Sequence, residues 1–318
     1  MLKGRNILSL IELSSKEVLM IIDVADALKS EAKAGVFRKP LENKSLAMLF
    51  EKPSTRTMVS FDCAMFELGG HSLNLATKQI QTVRGESLED TARVLSRYAH
   101  GILARVYKHE DLLDLVRGAS VPVINALSDR YHPCAVLGDL QTLREKKGKL
   151  EGLKLTYVGD GNNMANSLLV GCAKCAVNVS VATPRDYRPL QEAVDAAKEI
   201  AKENGSVVEI VDDPYDAVVN ADAVYTDVWI SMGMEKENEA RMRVFKPRYQ
   251  VNARLLEKAK RDVIFMHCLP MHRGLEVTAE IADGPHSIVW DQVENRLYTH
   301  KAILALLLAD HDRLPLQI

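Results

Sequence analysis

Small hydroxyl residues and an arginine follow the first candidate strand of the chain. The apolar run Leu46–Phe50 leads into Ser54-Thr55-Arg56-Thr57 and then into a pattern typical of a helix. A helix start offers backbone N–H groups and the positive end of its dipole, and arginine adds a planar fork for oxyanions. These residue types predict a phosphate site, the alternative being an ordinary helix cap beside an exposed arginine.

Two further strand ends carry groups suited to a carbonyl and to an amine. His132-Pro133 follows the candidate strand Val121–Asn125, and an imidazole there can hydrogen-bond a substrate carbonyl or serve the structure alone. Asp227 follows the candidate strand Ala223–Thr226, where its carboxylate suits a substrate ammonium or caps a helix. The two side chains are therefore candidate polar contacts for a small substrate.

Glycines and asparagines follow the candidate strand Leu153–Val158 as Gly159-Asp160-Gly161-Asn162-Asn163. The glycines permit a tight turn with the backbone exposed to a ligand. The segment has only G-x-G and lacks the third glycine of the dinucleotide fingerprint, so NAD binding is disfavoured. The asparagines could bind the polar groups of an amino acid, or could cap the following helix.

Cysteines occur at one strand end and inside one helical pattern. His267 and Cys268 follow the candidate strand Val263–Met266, but neighbouring strand residues point to opposite faces. We therefore expect Cys268 to contact substrate rather than to be a nucleophile activated by His267. Cys172 and Cys175 form one C-x-x-C pair, which is short of the four ligands of a zinc site. No metal site is expected.

Strands that alternate with helix-length segments must position these groups. The candidate strands are 46–50, 72–75, 102–107, 121–125, 153–158, 177–182, 207–211, 223–226, 263–266 and 287–290. This alternation predicts an α/β fold with two doubly wound domains, each with a mainly parallel sheet, joined by helices. Ligands of such sheets bind beyond the carboxyl ends of the strands, which is where the candidate groups lie.

A charged segment divides the chain into two α/β halves of similar size. Arg144-Glu145-Lys146-Lys147-Gly148-Lys149 is the best boundary candidate, giving domains of residues 1–147 and 148–296. The last helical stretch, about Leu297–Asp310, could pack on either half. The residues between the two halves would then form a cleft for a substrate.

Composition excludes several classes of protein. The 318 residues are 47% hydrophobic, and 41 basic against 43 acidic residues give a net charge of −2, which argues against a nucleic-acid or anionic-membrane partner. No apolar run approaches the roughly 18–20 residues of a membrane span, and the first residues do not resemble a signal peptide. Five scattered cysteines do not form a secreted disulfide framework, so we expect a cytoplasmic protein.

Taken together, these segments resemble the ornithine carbamoyltransferases, within the aspartate/ornithine carbamoyltransferase family. The matching segments are Ser54-Thr55-Arg56-Thr57, Gln81 with Arg84-Gly85-Glu86-Ser87, Asp90-Thr91-Ala92-Arg93-Val94-Leu95, Ala104-Arg105-Val106-Tyr107, His132-Pro133, Gly159-Asp160-Gly161-Asn162-Asn163, Asp227-Val228-Trp229-Ile230-Ser231-Met232-Gly233, His267-Cys268-Leu269-Pro270 and Glu294-Asn295-Arg296. They occur in the family's order and span nearly the whole chain.

The resemblance implies that carbamoyl phosphate and L-ornithine react to give L-citrulline and phosphate, as in arginine biosynthesis, without a metal or redox cofactor. It implies a carbamoyl-phosphate-binding domain at 1–147, an ornithine-binding domain at 148–296, and a C-terminal helix, 297–318, that packs back on the first. It also implies an assembly of trimers or a multiple of trimers. The Ser-Met-Gly segment resembles the loop that receives the α-amino-acid end of ornithine, which favours ornithine over putrescine.

The resemblance also implies roles for individual residues. The phosphate contacts would be Ser54, Thr55, Arg56, Thr57 and Arg296, with Gln81 reaching a neighbouring subunit's site. Arg105 and His132 would polarise the carbamoyl oxygen. The ornithine contacts would be Asn163, Asp227, Ser231 and Met232. Cys268 and Leu269 would contact both the reacting amine and the carbamoyl group.

Two positions depart from the family pattern. Ala135 stands where the family usually has a glutamine that can hold the carbamoyl NH2, and Met58 stands where it usually has a second arginine. They motivate two alternatives: a related carbamoyltransferase with another amine acceptor, and a catalytically weak relative that acts as a binding or assembly protein.

Overall fold

The computed structural model of the chain describes residues 2–76, 85–230 and 237–310. They divide into two compact units. The first comprises the described residues of Met1–Gln141 and of Glu294–Ile318, and the second is Thr142–Val293. The first unit is therefore assembled from both ends of the chain.

Four parallel strands form the sheet of the first unit, in the order β2-β1-β3-β4. The strands are β1 (Ser45–Phe50), β2 (His71–Ala76), β3 (Gly101–Arg105) and β4 (Val123–Leu127). The helices of this part of the chain are α1 (Ser15–Lys33), α2 (Thr55–Glu67), α3 (Leu88–Tyr98), α4 (His109–Gly118) and α5 (Pro133–Lys147), which runs past the division. The middle strands are buried on both faces, which explains their nearly continuous apolar sequences.

Five parallel strands form the sheet of the second unit, in the order β7-β6-β5-β8-β9. The strands are β5 (Lys154–Val158), β6 (Asn178–Ala182), β7 (Val208–Val211), β8 (Ala223–Thr226) and β9 (Ile264–His267). The helices that follow in chain order are α6 (Asn163–Lys174), α7 (Gln191–Asn204), α8 (Pro214–Ala217), α9 (Asn238–Phe245), α10 (Ala253–Leu256), α11 (Ala279–Ala282) and α12 (Val289–Leu308).

The predicted α/β fold with two doubly wound parallel sheets is confirmed. In each sheet the strand order reverses once, between β1 and β3 in the first unit and between β5 and β8 in the second. A parallel sheet opens for ligands where its strand order reverses, at the carboxyl ends of the strands. Arg105 ends β3, and Asp227 directly follows β8, so each reversal has a candidate site residue beside it.

The prediction of a tenth strand at Ser287–Trp290 is wrong. Ser287 makes only an isolated bridge to Phe265, and α12 already begins at Val289. A short apolar run does not distinguish a buried strand from the start of a buried helix, and here a helix forms. The terminal helix is consequently longer than predicted, at 20 residues. Among the described helices, α12 included, none combines the length and apolar character needed to cross a membrane.

Candidate active site

The hydroxyl residues after β1 form a cradle at the start of α2. Ser54 is the N-cap residue, and its hydroxyl oxygen accepts a hydrogen bond from the backbone N–H of Thr57 at 3.3 Å. The first turn of α2 carries no acidic side chain. Its positive dipole end is therefore not neutralised from within the helix, as suits a phosphate.

Cationic groups of the first unit converge on His132, which directly precedes α5. The pKa of His132 lies well below its usual range, because burial disfavours the charged ring and because Arg296, Arg105 and Arg56 add positive charge around it. His132 is consequently neutral at pH 7. Three arginines from distant parts of the chain thus surround a neutral imidazole.

Arg296 is a buried cation whose guanidinium is incompletely satisfied. Among the described residues, its Nε and Nη2 atoms have no hydrogen-bond partner, although the residue is only 5% exposed. Burying such donors is unfavourable unless a nearby group accepts their hydrogen bonds. Gly138 permits the close packing of α5 on this turn of α12, because a Cβ there would lie 3.2 Å from Arg296 Cγ. An anion bound here would satisfy the guanidinium.

Asp227 is the centre of the candidate site in the second unit. Its Oδ1 atom accepts hydrogen bonds from the Cys268 thiol at 2.9 Å and from the Val228 backbone N–H at 2.8 Å. Its Oδ2 atom accepts a hydrogen bond from Asn162 Nδ2 at 2.8 Å. This buried carboxylate is therefore held in a fixed orientation by three donors.

Of the two asparagines in the turn after β5, Asn162 donates a hydrogen bond to Asp227, whereas the family resemblance implies Asn163 as the ornithine contact. Asn162 is the N-cap residue of α6, where its Oδ1 accepts from the N–H groups of Met164 and Ala165. Asn163, the predicted contact, is the first residue of α6 and is half-buried. An asparagine just before an apolar helical run is a strong N-cap signal. This signal could have identified Asn162 as the capping residue and distinguished it from Asn163.

The second glycine of the turn after β5 is required by a close backbone approach. A Cβ on Gly161 would lie 2.3 Å from the backbone nitrogen of Pro189, and the Gly161 N–H donates to the Tyr187 carbonyl at 2.8 Å. Contact with the segment at Tyr187–Pro189 therefore explains why residue 161 is a glycine. The second glycine of the G-x-G thus has a structural role that needs no dinucleotide.

His267 and Cys268 have different partners, as the alternation of strand side chains predicts. His267 Nδ1 accepts a hydrogen bond from the Leu269 backbone N–H at 2.8 Å, and Nε2 lies 3.3 Å from Glu276 Oε1. The Cys268 thiol instead donates to Asp227. His267 therefore orients the segment after β9, in which Leu269 has a left-handed φ of 59° that is strained for a leucine.

Three buried side chains of the second unit lie close enough together to hold a metal ion. One ligand atom each of Asp227, His267 and Cys268 lies within 4.8 Å of the others, and all three residues are buried. A bound ion would have to replace the thiol–carboxylate hydrogen bond and the bond from Leu269 N–H to His267. Cys172 and Cys175 are buried in α6 and at its C-terminal cap, away from any described metal-ligand cluster.

A buried ion pair that sequence reasoning missed connects the turns after β5 and β8. Arg241 donates to Asp160 Oδ2 at 2.8 Å and to the Trp229 carbonyl at 2.9 Å. Burial raises the pKa of Asp160 and the Arg241 charge partly offsets this, leaving that pKa at about 6. Asp160 is therefore mostly ionised at pH 7 and holds Arg241. No sequence signal connects these two residues.

Three predicted site residues, Gln81, Ser231 and Met232, lie outside the described residues. The structure brings the other predicted residues together as two sets. Arg56, Arg105, His132 and Arg296 belong to the first unit, at the cradle side of its sheet, together with Ser54, Thr55 and Thr57. Asn163, Asp227, Cys268 and Leu269 belong to the second unit.

Both halves of the chain match domains of one enzyme family. Residues 5–145 match the family model described as the carbamoyl-P binding domain of aspartate/ornithine carbamoyltransferase, and residues 151–307 match its Asp/Orn binding domain. Together they cover most of the chain. The chain therefore belongs to the aspartate/ornithine carbamoyltransferase family, as its motifs indicate.

Individual relatives narrow the comparison to one branch of that family. A protein of Oceanobacillus iheyensis named ornithine carbamoyltransferase is 52% identical over 309 residues, which are 97% of this chain and 96% of the relative. A protein of Pyrococcus furiosus named ornithine carbamoyltransferase, anabolic, is 51% identical over 96% of this chain and 97% of its own length. The solved ornithine carbamoyltransferase of Pyrococcus furiosus superposes with a TM-score of 0.93, covering 96% of this chain and 98% of that one.

Proposed function

We propose that this chain is a transferase that moves the carbamoyl group of carbamoyl phosphate to the side-chain amine of L-ornithine, giving L-citrulline and phosphate. The observation that carries this proposal is the buried, incompletely satisfied Arg296 beside the cradle at the start of α2. Relatives about half identical over nearly the full length and named ornithine carbamoyltransferase support ornithine as the acceptor.

The first unit is proposed to bind carbamoyl phosphate. Its phosphate contacts would be Ser54, Thr55, Arg56, Thr57 and Arg296, with Gln81 of a neighbouring chain. Arg105 and the neutral His132 would hydrogen-bond the carbamoyl oxygen, on which negative charge grows as the amine attacks. Preorganised donors stabilise such charge most where water is excluded, and these residues are buried.

The second unit is proposed to bind ornithine. Asp227 and Cys268 would orient the side-chain amine, and Asn163, Ser231 and Met232 would hold the α-amino-acid end. The unprotonated amine forms a bond to the carbamoyl carbon as the bond from that carbon to the phosphate oxygen breaks. The departing phosphate is a suitable acceptor for the proton that the amine loses. These roles follow the proposed domains at residues 1–147 and 148–296.

An acceptor assay tests the proposal directly. The purified chain is incubated with carbamoyl phosphate and either ornithine, putrescine or aspartate, and the ureido product is measured. We expect turnover with ornithine. Product with another amine alone would establish the alternative acceptor, and no product with any of them from folded protein would leave a binding or assembly role.

Ala135 is the departure whose effect on rate is easiest to measure. Position 135 lies in the first turn of α5, three residues after His132, and lacks the amide that could hold the carbamoyl NH2. We expect Ala135→Gln to raise kcat, by up to about 10²–10³ if that bond forms mainly in the transition state. Because residue 135 is buried, Ala135→Met is the control for bulk alone. Equal rates for the glutamine and methionine variants would refute a role for the amide.

The second departure has a visible local partner. Met58 lies in the first turns of α2, and its sulfur accepts a hydrogen bond from Asn74 Nδ2 at 3.1 Å. The Met58 side chain thus contacts strand β2. The binding or assembly role stays the alternative that this departure motivates.

We further propose that three chains, or a multiple of three, assemble. Exposed apolar side chains on the first unit support this: Val59 and Phe66 share a face of α2, and Leu73 lies on the edge strand β2. Phe66, 80% exposed, is the largest of them. We expect Phe66→Asp to reduce the mass measured by light scattering from three chains towards one. Trp290→Asp, at an exposed aromatic of the second unit, should leave it unchanged, and a trimeric Phe66→Asp would contradict this surface.

Two further observations support proposals about the protein's compartment and its metabolic role. The five cysteines all lie among the described residues and form no disulfide with one another, as is usual in a reducing compartment, which supports a cytoplasmic location. The word anabolic in the name of the Pyrococcus furiosus relative supports a role in arginine biosynthesis. No nucleic-acid or membrane partner is proposed.

A further inference from the structure

A buried histidine of α12 contacts the helix whose first turn forms the phosphate cradle. His300 lies four residues after Arg296 and so shares its face of α12. Its ring stacks on Phe61 of α2, with the ring centroids 3.8 Å apart and the planes at 14°. Its Nδ1 atom lies 2.8 Å from Ser60 Oγ. Neither His300 nor Ser60 was among the predicted site residues.

Two hydrogen bonds connect His300 to the cradle itself. Ser60 Oγ is also 3.2 Å from the carbonyl oxygen of Thr57. Because a carbonyl only accepts, the Ser60 hydroxyl donates its single proton there and accepts the proton of His300 Nδ1. Burial and the Arg296 charge both lower the pKa of His300, which keeps the ring neutral. A neutral ring with its proton on Nδ1 fits this chain of donors.

We propose that His300 is a positioning residue for carbamoyl phosphate, fixing the Arg296 turn of α12 against the Ser54–Thr57 cradle of α2 through Ser60. The inference rests on the proposed function, which makes both helices hold one phosphate. Stacking on Phe61 holds the helices together but leaves them free to slide. The hydrogen bond is directional, so it sets where the guanidinium lies relative to the cradle.

An ion pair also connects α12 and α2, and it provides a control for the His300–Ser60 hydrogen bond. Lys301 Nζ pairs with Glu67 Oε2 at 2.8 Å, and Glu67 is the last residue of α2. That ion pair lies more than three turns of helix away from Ser54, at the opposite end of α2 from the proposed phosphate site. Loss of the Lys301–Glu67 ion pair should weaken only the packing of the two helices, whereas loss of the His300–Ser60 hydrogen bond should weaken phosphate binding.

The test measures the Kd of inorganic phosphate by calorimetry and the KM of both substrates. His300→Phe keeps an aromatic ring on Phe61 but removes the donor, and Ser60→Ala removes the acceptor. We expect each to raise the phosphate Kd and the carbamoyl phosphate KM about three- to tenfold, with the ornithine KM unchanged. The double variant should be no worse than either single one. His300→Asn, whose Nδ2 can replace the Nδ1 donor, should restore much of the affinity.

Glu67→Gln is the matched control, expected to lower the unfolding temperature without changing the phosphate Kd. Wild-type phosphate affinity in His300→Phe or in Ser60→Ala would overturn the proposal. The proposal would also be overturned if Glu67→Gln lost as much phosphate affinity as the other variants, because affinity would then depend only on the stability of the chain. Phosphate binding is measured without turnover, so a chain that fails the ornithine assay but shows this pattern refutes the proposed reaction alone.

Discussion

Replacing Arg296 by methionine is expected to remove most of the activity and yet to leave the chain at least as resistant to unfolding. The activity should fall about 10²–10³-fold, because one cation facing the developing negative charge is lost. The free energy of unfolding should stay constant or rise by about 1–3 kcal/mol, since a buried guanidinium with unsatisfied donors is replaced by an apolar side chain of similar length. Urea unfolding in phosphate-free buffer measures the second quantity.

Adding inorganic phosphate should then reverse the order of stability. A ligand that binds only the folded state stabilises it by an amount that rises with the ratio of ligand concentration to Kd, and the variant should lack that increment. Lys29 is the matched control: it is a buried cation of the same unit, but it donates to Asn295 Oδ1 at 2.7 Å and pairs with Glu294 at 3.0 Å. Lys29→Met should therefore be destabilising. If Arg296→Met destabilises the chain as much as Lys29→Met does, Arg296 is a structural residue.

Replacing Asp227 by asparagine is the second change with a large expected effect. The kcat/KM for ornithine should fall about 10²-fold, because a charged partner for the amine is lost. The amide is also a poor substitute locally: Asp227 accepts from three donors, and an asparagine has a single acceptor oxygen. The affinity for inorganic phosphate should not change, because its proposed contacts lie in the other unit.

Asp222 provides the matched control for a buried carboxylate in the same region. It lies just before β8, whereas Asp227 lies just after it, and it accepts from the Lys154 backbone N–H at 2.9 Å and from Lys260 Nζ at 2.7 Å. Asp222→Asn should lower stability and leave the ornithine kinetics nearly unchanged. An equal loss of kcat/KM in the two variants would show that Asp227 acts through folding and would remove it from the site.

The strands could be predicted from the sequence because burial on both faces leaves a nearly continuous apolar run. The other nine predicted strands begin and end within two residues of the observed bounds. The failure at Ser287–Trp290 has the same cause, because a buried helix start is also a short apolar run. The pattern of apolar residues predicts burial well. It distinguishes a strand from a helix only where the apolar run is long or its ends carry clear signals.

The candidate site was predictable where a group directly follows a strand, as at Asp227 and Cys268. It was not predictable from local pattern where the contact joins distant segments. Arg241 and Asp160 are 81 residues apart, and Ser60 and His300 are 240 residues apart. Arg296 entered only through the family resemblance, because nothing around it distinguishes a ligand-binding arginine from one on a helix surface. Such contacts depend on how elements pack, which side-chain spacing does not encode.

The return of α12 to the first unit has a consequence for synthesis on the ribosome. The residues from Glu294 onward belong to the unit that begins at the N-terminus, and they are translated after all of Thr142–Val293. Much of α12 is buried there, including Ala302–Leu308, and the Leu307 carbonyl accepts a hydrogen bond from the Gly4 backbone N–H. The nascent first unit therefore lacks part of its core and also lacks Arg296. The unit whose strands are translated first is therefore completed only after the second unit, and the proposed phosphate site can form only then.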